Sequence, residues 1–308
     1  MLFHFIFFCS ELFLNIQISL MKNTIKQTNI EEQNVVFLEN LMNLFFSRLI
    51  QCYSDFVQIF RDKKSTFTQF TVWMSKELEK LINLLYNQQY ITTKNFSFSI
   101  KNLQILLNKS DDFSSEVIDI RFQIHEQLEL ILIPMIRSQK EHIMNTLRQR
   151  HRDEKWIPTV FLTSERLEQF FDEFSQLNFD YRNSFQPFLQ TNNNTNRLHI
   201  DLAPSTLQFT KAYLKFAQDL YQIHFDLINH FIVEALIELI KLHLKYFERA
   251  LKTSNEPNFK DFIMENVRFS LEYLYAHVEK LFEPKIGNEI KFFRKIHQKL
   301  TKFEQLIK

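Results

Sequence analysis

The chain has 308 residues, a net charge of +1, 45% hydrophobic and 24% charged residues, and a single glycine. This composition gives a folded protein of one large or two modest domains rather than a disordered chain. Near-neutrality excludes a global field for nucleic acid or strongly acidic partners, and one glycine, Gly287, excludes phosphate loops and dinucleotide fingerprints, which need backbone at positive φ close to phosphate.

Residues 1–20, "MLFHFIFFCSELFLNIQISL", are apolar. They lack a basic n-region and a small-residue cleavage site, and Glu11, Asn15 and Gln17 interrupt them as a membrane span. Three readings stay open: a dispensable leader written by AT-rich sequence of the kind found in some protist genomes, a buried or interfacial helix, and a targeting signal. The first 30 residues are set apart as leader and linker.

Residues 31–62 predict a helix, with Leu38, Leu41, Met42, Phe45, Leu49, Cys52, Phe56 and Phe60 on one face. Residues 66–88 repeat the pattern through Phe70, Trp73, Leu78, Leu81 and Leu85. Next comes "ITTKNFSFSIKNLQILLN" (91–108), where Thr92, Thr93 or Asn95 can cap a helix facing inward with Phe96, Ile100, Leu103 and Leu107. "NKSDDFSSE" (108–116) reads as a turn, with Ser114 or Ser115 capping a helix over about 115–149 that Pro134 should kink. "RQRHRDEKW" (148–156) closes it with charge. "PTVFLTSERLEQFF" reads as a loop and a helix capped at Thr163 or Ser164, and "TNNNTNR" (191–197) as a linker.

From Pro204 a helical pattern runs to about Lys252, roughly 70 Å if continuous. "TSNEPN" (253–258) breaks it, and helices over about 259–282 and 287–307 follow. Tight β-hairpins lean on glycine, so the predicted fold is all-α: an elongated bundle or rod of long antiparallel helices. The expected organisation is 31–190 as one bundle, 191–202 as an Asn-rich linker and 203–308 as a second bundle.

Chemistry is sparse. Two cysteines, Cys9 and Cys52, make neither a disulfide scaffold nor a zinc site and fit a reducing, cytosolic or nuclear compartment. No H-E-x-x-H, G-x-S-x-G, C-x-x-C or Glu-x-x-His pattern occurs. His224, His230 and His243 are read as core or surface histidines, His125–Glu126 as a helix-surface pair, and Glu165, Glu168, Asp172 and Glu173 as a solvated acidic face. No catalytic, cofactor-binding or metal-ligating residue is expected, and the chain is read as a non-enzyme. Two basic clusters remain: Arg148, Arg150, His151, Arg152 and Lys155, and Lys291, Arg294, Lys295, Lys299 and Lys302. Such faces can touch anionic headgroups or a partner. Sequons at Asn95, Asn108 and Asn193 are discounted in Asn-rich sequence.

The 91–108 stretch resembles the C-terminal region shared by two vesicle-tethering subunits, the one peculiar to the GARP complex and its EARP counterpart, syndetin. Their pattern is close to I/L-T-T-K-N/H before an apolar helix, matched by Ile91, Thr92, Thr93, Lys94 and Asn95 and, in the following face, Leu103 and Ile105. "RLIQCYSDFVQIF", "LEKLINLL", "IHEQLELIL", "LIKLHLKYFERAL" and "EIKFFRKIHQKLTKFEQL" are similar to neighbouring helices in the same order, so the likeness covers about residues 40–308. The family carries glycine shortly before the T-T-K motif, where this chain has "YNQQY". Its chains also have an N-terminal coiled coil that this sequence does not contain, so a fragment, a split gene and a divergent protein are all open. The resemblance implies a non-enzymatic helical scaffold in endosome-to-Golgi or recycling transport. It implies a peripheral cytoplasmic place at the trans-Golgi network or endosomes. The implied partners are other tethering subunits, SNAREs, small GTPases and anionic membrane, with no nucleic acid and no cofactor. The alternative is a lineage-specific helical structural subunit of a large mitochondrial or cytoskeletal assembly.

Overall fold

The computed structural model describes residues 31–60, 64–192, 197–253 and 256–286, together with Phe303. They fall into two compact units that divide between Met135 and Ile136. The sequence placed its division at the Asn-rich segment instead.

In the first unit, α1 (Glu31–Phe60) and α2 (Lys64–Asn87) bury the stripes that their periodicity marks out, including Leu38, Met42, Leu49, Phe70, Leu78 and Leu85. The helix over Val35–Phe60 is long and apolar enough to cross a membrane by length and composition alone. Its stripe is nevertheless covered by protein: Phe56 stacks on Phe70 at 4.5 Å and Phe46 lies 5.8 Å from Phe113.

α2 ends in a Schellman motif. Tyr90 N–H donates to Leu85 O (3.0 Å) and Gln89 N–H to Tyr86 O (3.1 Å), with Gln89 at φ 62. That left-handed position favours glycine, and here glutamine fills it. A second Schellman motif follows the helix ending at Ser175. Phe179 N–H donates to Phe174 O and Asn178 N–H to Ser175 O, with Asn178 at φ 50 and the Phe174 and Phe179 rings 6.0 Å apart.

α3 (Phe96–Glu116) runs through the segment read as a turn. Phe113 explains the difference: it is 2% exposed and packs on Phe46, and Ser110 spends its hydroxyl on Leu107 O (2.7 Å). Burying a phenylalanine is worth about 2–3 kcal/mol, more than a run of Ser and Asp costs in helix propensity. α4 (Arg121–Arg152) starts later than expected. The Asp119 carboxylate accepts from the Arg121 amide (3.0 Å) and guanidinium (2.6 Å), which holds its pKa at about 2. The helix passes through Pro134 without interruption.

The described residues are mostly helical, as the sequence predicts, and the second unit adds one small sheet to the strand-free expectation. β1 (Thr159–Phe161), β2 (Leu189–Asn192) and β3 (Arg197–Ile200) form an antiparallel sheet in the order β1-β3-β2. Thr159 faces Ile200, and Leu189 faces Ile200 from the other side. The two ends of the segment read as a linker, Thr191–Asn192 and Arg197, therefore lie in paired strands. Between β1 and β2 lie α5 (Ser164–Ser175), capped by Thr163 Oγ1, and the short α6 (Tyr181–Phe185). Their phenylalanines form a cluster in which Phe170 and Phe174 are 4.8 Å apart, and Phe185 lies 5.2 Å from Phe269.

The long helical pattern divides into α7 (Pro204–Gln222), a 3₁₀ turn (Asp226–Ile228) and α8 (Asn229–Thr253). Phe225 is extended (φ −154) at the break. On one continuous helix Ile223 and Phe225 would point roughly 200° apart; the break lets both bury, at 0% and 5% exposure. α9 (Pro257–Arg268) continues through a π-helical stretch (Phe269–Tyr275) into α10 (Ala276–Ile286). The helix expected over 287–307 lies outside the described residues, apart from the single position Phe303.

Candidate functional site

Two places carry the residues that the sequence singles out. The first is the turn into α3. Asn95 is the cap: its Oδ1 accepts from Phe98 N–H at 3.2 Å. Thr92 Oγ1 accepts from Lys94 N–H at 3.3 Å, while Thr93 and Lys94 are exposed. Ile91 and Leu103 are core residues at 1% and 0% exposure. The residue that ties the turn together was not read from the sequence. Ser99, fully buried, accepts from Thr92 N–H (2.8 Å) and offers its hydroxyl to Thr92 O (2.9 Å) and Asn95 O (3.0 Å). One turn further on, buried Asn102 donates to Tyr90 O at 2.7 Å. The motif's fixed letters thus hold a helix entry, while Thr93 and Lys94 face solvent.

The second place is a cleft of about 610 Å³ in the second unit, between the last turns of α4 and α8. Arg148 and Arg152 from α4 and Arg249 from α8 line it, with His151, Trp156 and Tyr246 forming aromatic walls. His151 stacks on Tyr246 at 4.3 Å and lies 5.6 Å from Trp156. Burial pulls the His151 pKa down to about 4, opposed in part by the Glu154 carboxylate, so the ring is neutral near pH 7. Trp156 holds φ 53, a left-handed backbone uncommon for a bulky residue. Glu154 keeps it there: one oxygen accepts from Trp156 N–H (3.0 Å) and the other from Ser205 N–H at the start of α7 (3.0 Å). α7 has alanine at its N-cap and no side-chain cap of its own, so Glu154 takes that role from a distance in sequence.

Behind the cleft, fully buried His243 bonds Tyr275 through Nδ1 and Oη at 2.8 Å and packs on Phe209 at 4.0 Å. Burial drives the His243 pKa well down and the Tyr275 pKa well up, so the pair is neutral. Among the described residues no three His, Cys, Asp or Glu side chains come close enough together to hold a metal.

Of the first basic cluster, the structure brings Arg148 and Arg152 into the cleft, while Arg150 and Lys155 are exposed outside its lining. Lys291, Arg294, Lys295 and Lys299 lie outside the described residues. Arg249 was missed. Its only signal in sequence is a basic residue near the C-terminal end of a helix, one turn before Lys252.

The described residues thus combine a largely helical fold with an arginine-lined cleft. The chain is 22% identical to exocyst complex component 8 of Xenopus laevis over 281 residues, to that of Gallus gallus over 281, and to that of Homo sapiens over 282. Each match covers 91% of this chain and 40%, 39% and 38% of the relative respectively, so the chain spans about two-fifths of the curated relatives' length. No family model matches, and no solved structure matches. The likeness to tethering-complex subunits therefore stands at the level of the class, with the exocyst rather than GARP or EARP represented among these relatives.

Proposed function

We propose that the chain is a non-enzymatic helical subunit of a vesicle-tethering complex, of the kind represented by exocyst complex component 8. The alignment over 91% of the chain carries this reading. It acts from the cytoplasmic side, peripheral to membrane. Its helices meet other subunits, and its arginine-lined surface meets the anionic membrane that is to be held; SNAREs and small GTPases belong to the same expected set of partners. Tethering needs position rather than chemistry, since weak contacts held in one rigid body add through effective concentration.

A second reading keeps the GARP or EARP assignment, with action at endosomes or the trans-Golgi network. The I-T-T-K-N stretch favours it. That stretch is short, and Ile91, Thr92, Asn95 and Leu103 each have a local folding role that any helix entry of this shape would select. The longer alignment therefore outweighs it.

Affinity purification of the tagged full chain from its native cell, with mass spectrometry of what it retains, is the test. Co-purifying exocyst subunits support the first reading and GARP or EARP subunits the second. A mitochondrial or cytoskeletal assembly in their place would sink both and favour a structural subunit.

A further inference from the structure

We infer that the cleft formed by Arg148, Arg152, Arg249, His151, Trp156 and Tyr246 binds a phosphomonoester-bearing lipid headgroup at a membrane surface. The inference deepens the membrane-contact part of the proposed function and rests on it for its cellular meaning.

Three arginines line one concavity, and no carboxylate lines it. Arginine matches phosphate oxygens in bidentate fashion. Arg148 donates to Asn145 Oδ1 at 2.6 Å and has Glu141 3.9 Å away, both exposed neighbours and weak competitors for a phosphate. The neighbouring Glu248 is already paired with Lys252 at 2.8 Å, and Glu154 is committed to two backbone amides. Two helix C-termini end here, each adding roughly half a negative charge. Against three arginines, with the Glu154 carboxylate also beside the cleft, this leaves roughly one positive charge in excess. A dipole-capping role would need one cation per helix end; the third is in excess.

The walls are as informative as the charge. Trp156, Tyr246 and a neutral His151 pack on one another into an aromatic wall beside the arginines, a surface suited to the ring of a sugar-like headgroup between phosphates. The chain leaving the cleft at Trp156 then carries Ile157, Val160 and Leu162 at 54%, 53% and 61% exposure. Aliphatic side chains held in water beside an arginine cleft fit insertion into a lipid interface, and favour a membrane over a free anion or an acidic peptide. The geometry is also built rather than incidental, because Trp156 is held in a left-handed backbone by Glu154.

The test uses the purified full chain in vesicle co-sedimentation. The vesicles are phosphatidylcholine alone, phosphatidylcholine with a phosphatidylinositol bisphosphate, or phosphatidylcholine with phosphatidylserine at matched charge. The bisphosphate vesicles should be bound best. Arg152→Gln with Arg249→Gln should weaken that binding about thirtyfold, at about 1 kcal/mol per basic contact, with unchanged thermal unfolding because both residues are exposed. Removing equal charge elsewhere in the unit, with Lys215→Gln and Lys280→Gln, should change it little. Ile157→Ser should weaken vesicle binding and leave binding of a soluble inositol phosphate unaltered. No vesicle binding, equal binding of the phosphatidylserine vesicles, equal loss in the lysine control, or tighter binding of an acidic peptide than of the bisphosphate vesicles would each overturn the inference. The arginine variant should still recover the same complex subunits by affinity purification. Failure of the wild-type chain to recover any would count against the tethering reading and leave the vesicle result standing.

Discussion

Replacing Ser99 with alanine removes one oxygen that serves three backbone groups. The Thr92 amide donates to it at 2.8 Å, and the hydroxyl has Thr92 O and Asn95 O at 2.9 and 3.0 Å. The site is fully buried, so water reaches it only if the turn opens. An unpaired buried donor costs about 1–3 kcal/mol, and alanine returns roughly half a kcal/mol in helix propensity. The net expected loss is about 1–2 kcal/mol. Because the chain has two compact units, a local readout is sharper than a global midpoint. Hydrogen–deuterium exchange of peptides spanning 85–108 reads the first unit locally: the Thr92 amide and the first turn of α3 should lose protection about five- to thirtyfold. Unchanged protection, or a gain from the better helix former, would refute the claim that Ser99 holds the entry to α3.

Further outcomes follow from the same geometry. Asn95→Ala should destabilise the first unit by about 1 kcal/mol as the loss of a cap, whereas Thr93→Ala should leave urea unfolding unchanged; equal effects would mean the cap is shared. Gln89→Gly should raise that unit's stability by about 0.5–1 kcal/mol, because a left-handed residue with a Cβ is strained by about 1–2 kcal/mol and glycine's extra unfolded-state freedom returns part of it; a fall in the urea midpoint would contradict the strain. Acid should destabilise the second unit. The folded pKa of His151 is about 4 against 6.5 when free, so the unfolded chain binds the extra proton. The stability it holds above pH 6.5 is then lost as pH falls towards 4, by up to about 3 kcal/mol. His151→Phe should flatten that part of the pH profile, and an unaltered profile would assign the acid sensitivity elsewhere. Tyr275→Phe should cost about 1–3 kcal/mol by leaving His243 Nδ1 unpaired in the core, read as a lower thermal midpoint with retained helix content.

Periodicity made much of the helical framework legible, because a stripe such as Leu38, Met42, Phe45 and Leu49 admits few other conformations. It failed where a single distant contact outweighed local preference. Ser and Asp around Phe113 look like a turn until Phe46 is there to receive the ring. Strands β1 to β3 were hidden by the scarcity of glycine. That scarcity was read as excluding hairpins, yet asparagine and even glutamine and tryptophan occupy left-handed backbone in this chain. At the arginine cleft, Arg148 and Arg152 show as a cluster in sequence. Arg249 lies a hundred residues away, and only the packing of α8 against α4's end can join it to them.

The π-helical stretch Phe269–Tyr275 has a consequence for how this chain tolerates changes in length. In an α-helix each residue turns the chain by 100°, so losing one residue swings everything beyond it off the core. A π stretch closes its bonds over five residues rather than four and holds an extra residue within its turn. A deletion there can be absorbed by relaxing to ordinary winding, with Val267 before it and Val278 after it still facing inward. Sequences descended from a common ancestor should therefore show their one-residue gaps at 269–275 more readily than within α7 or α8.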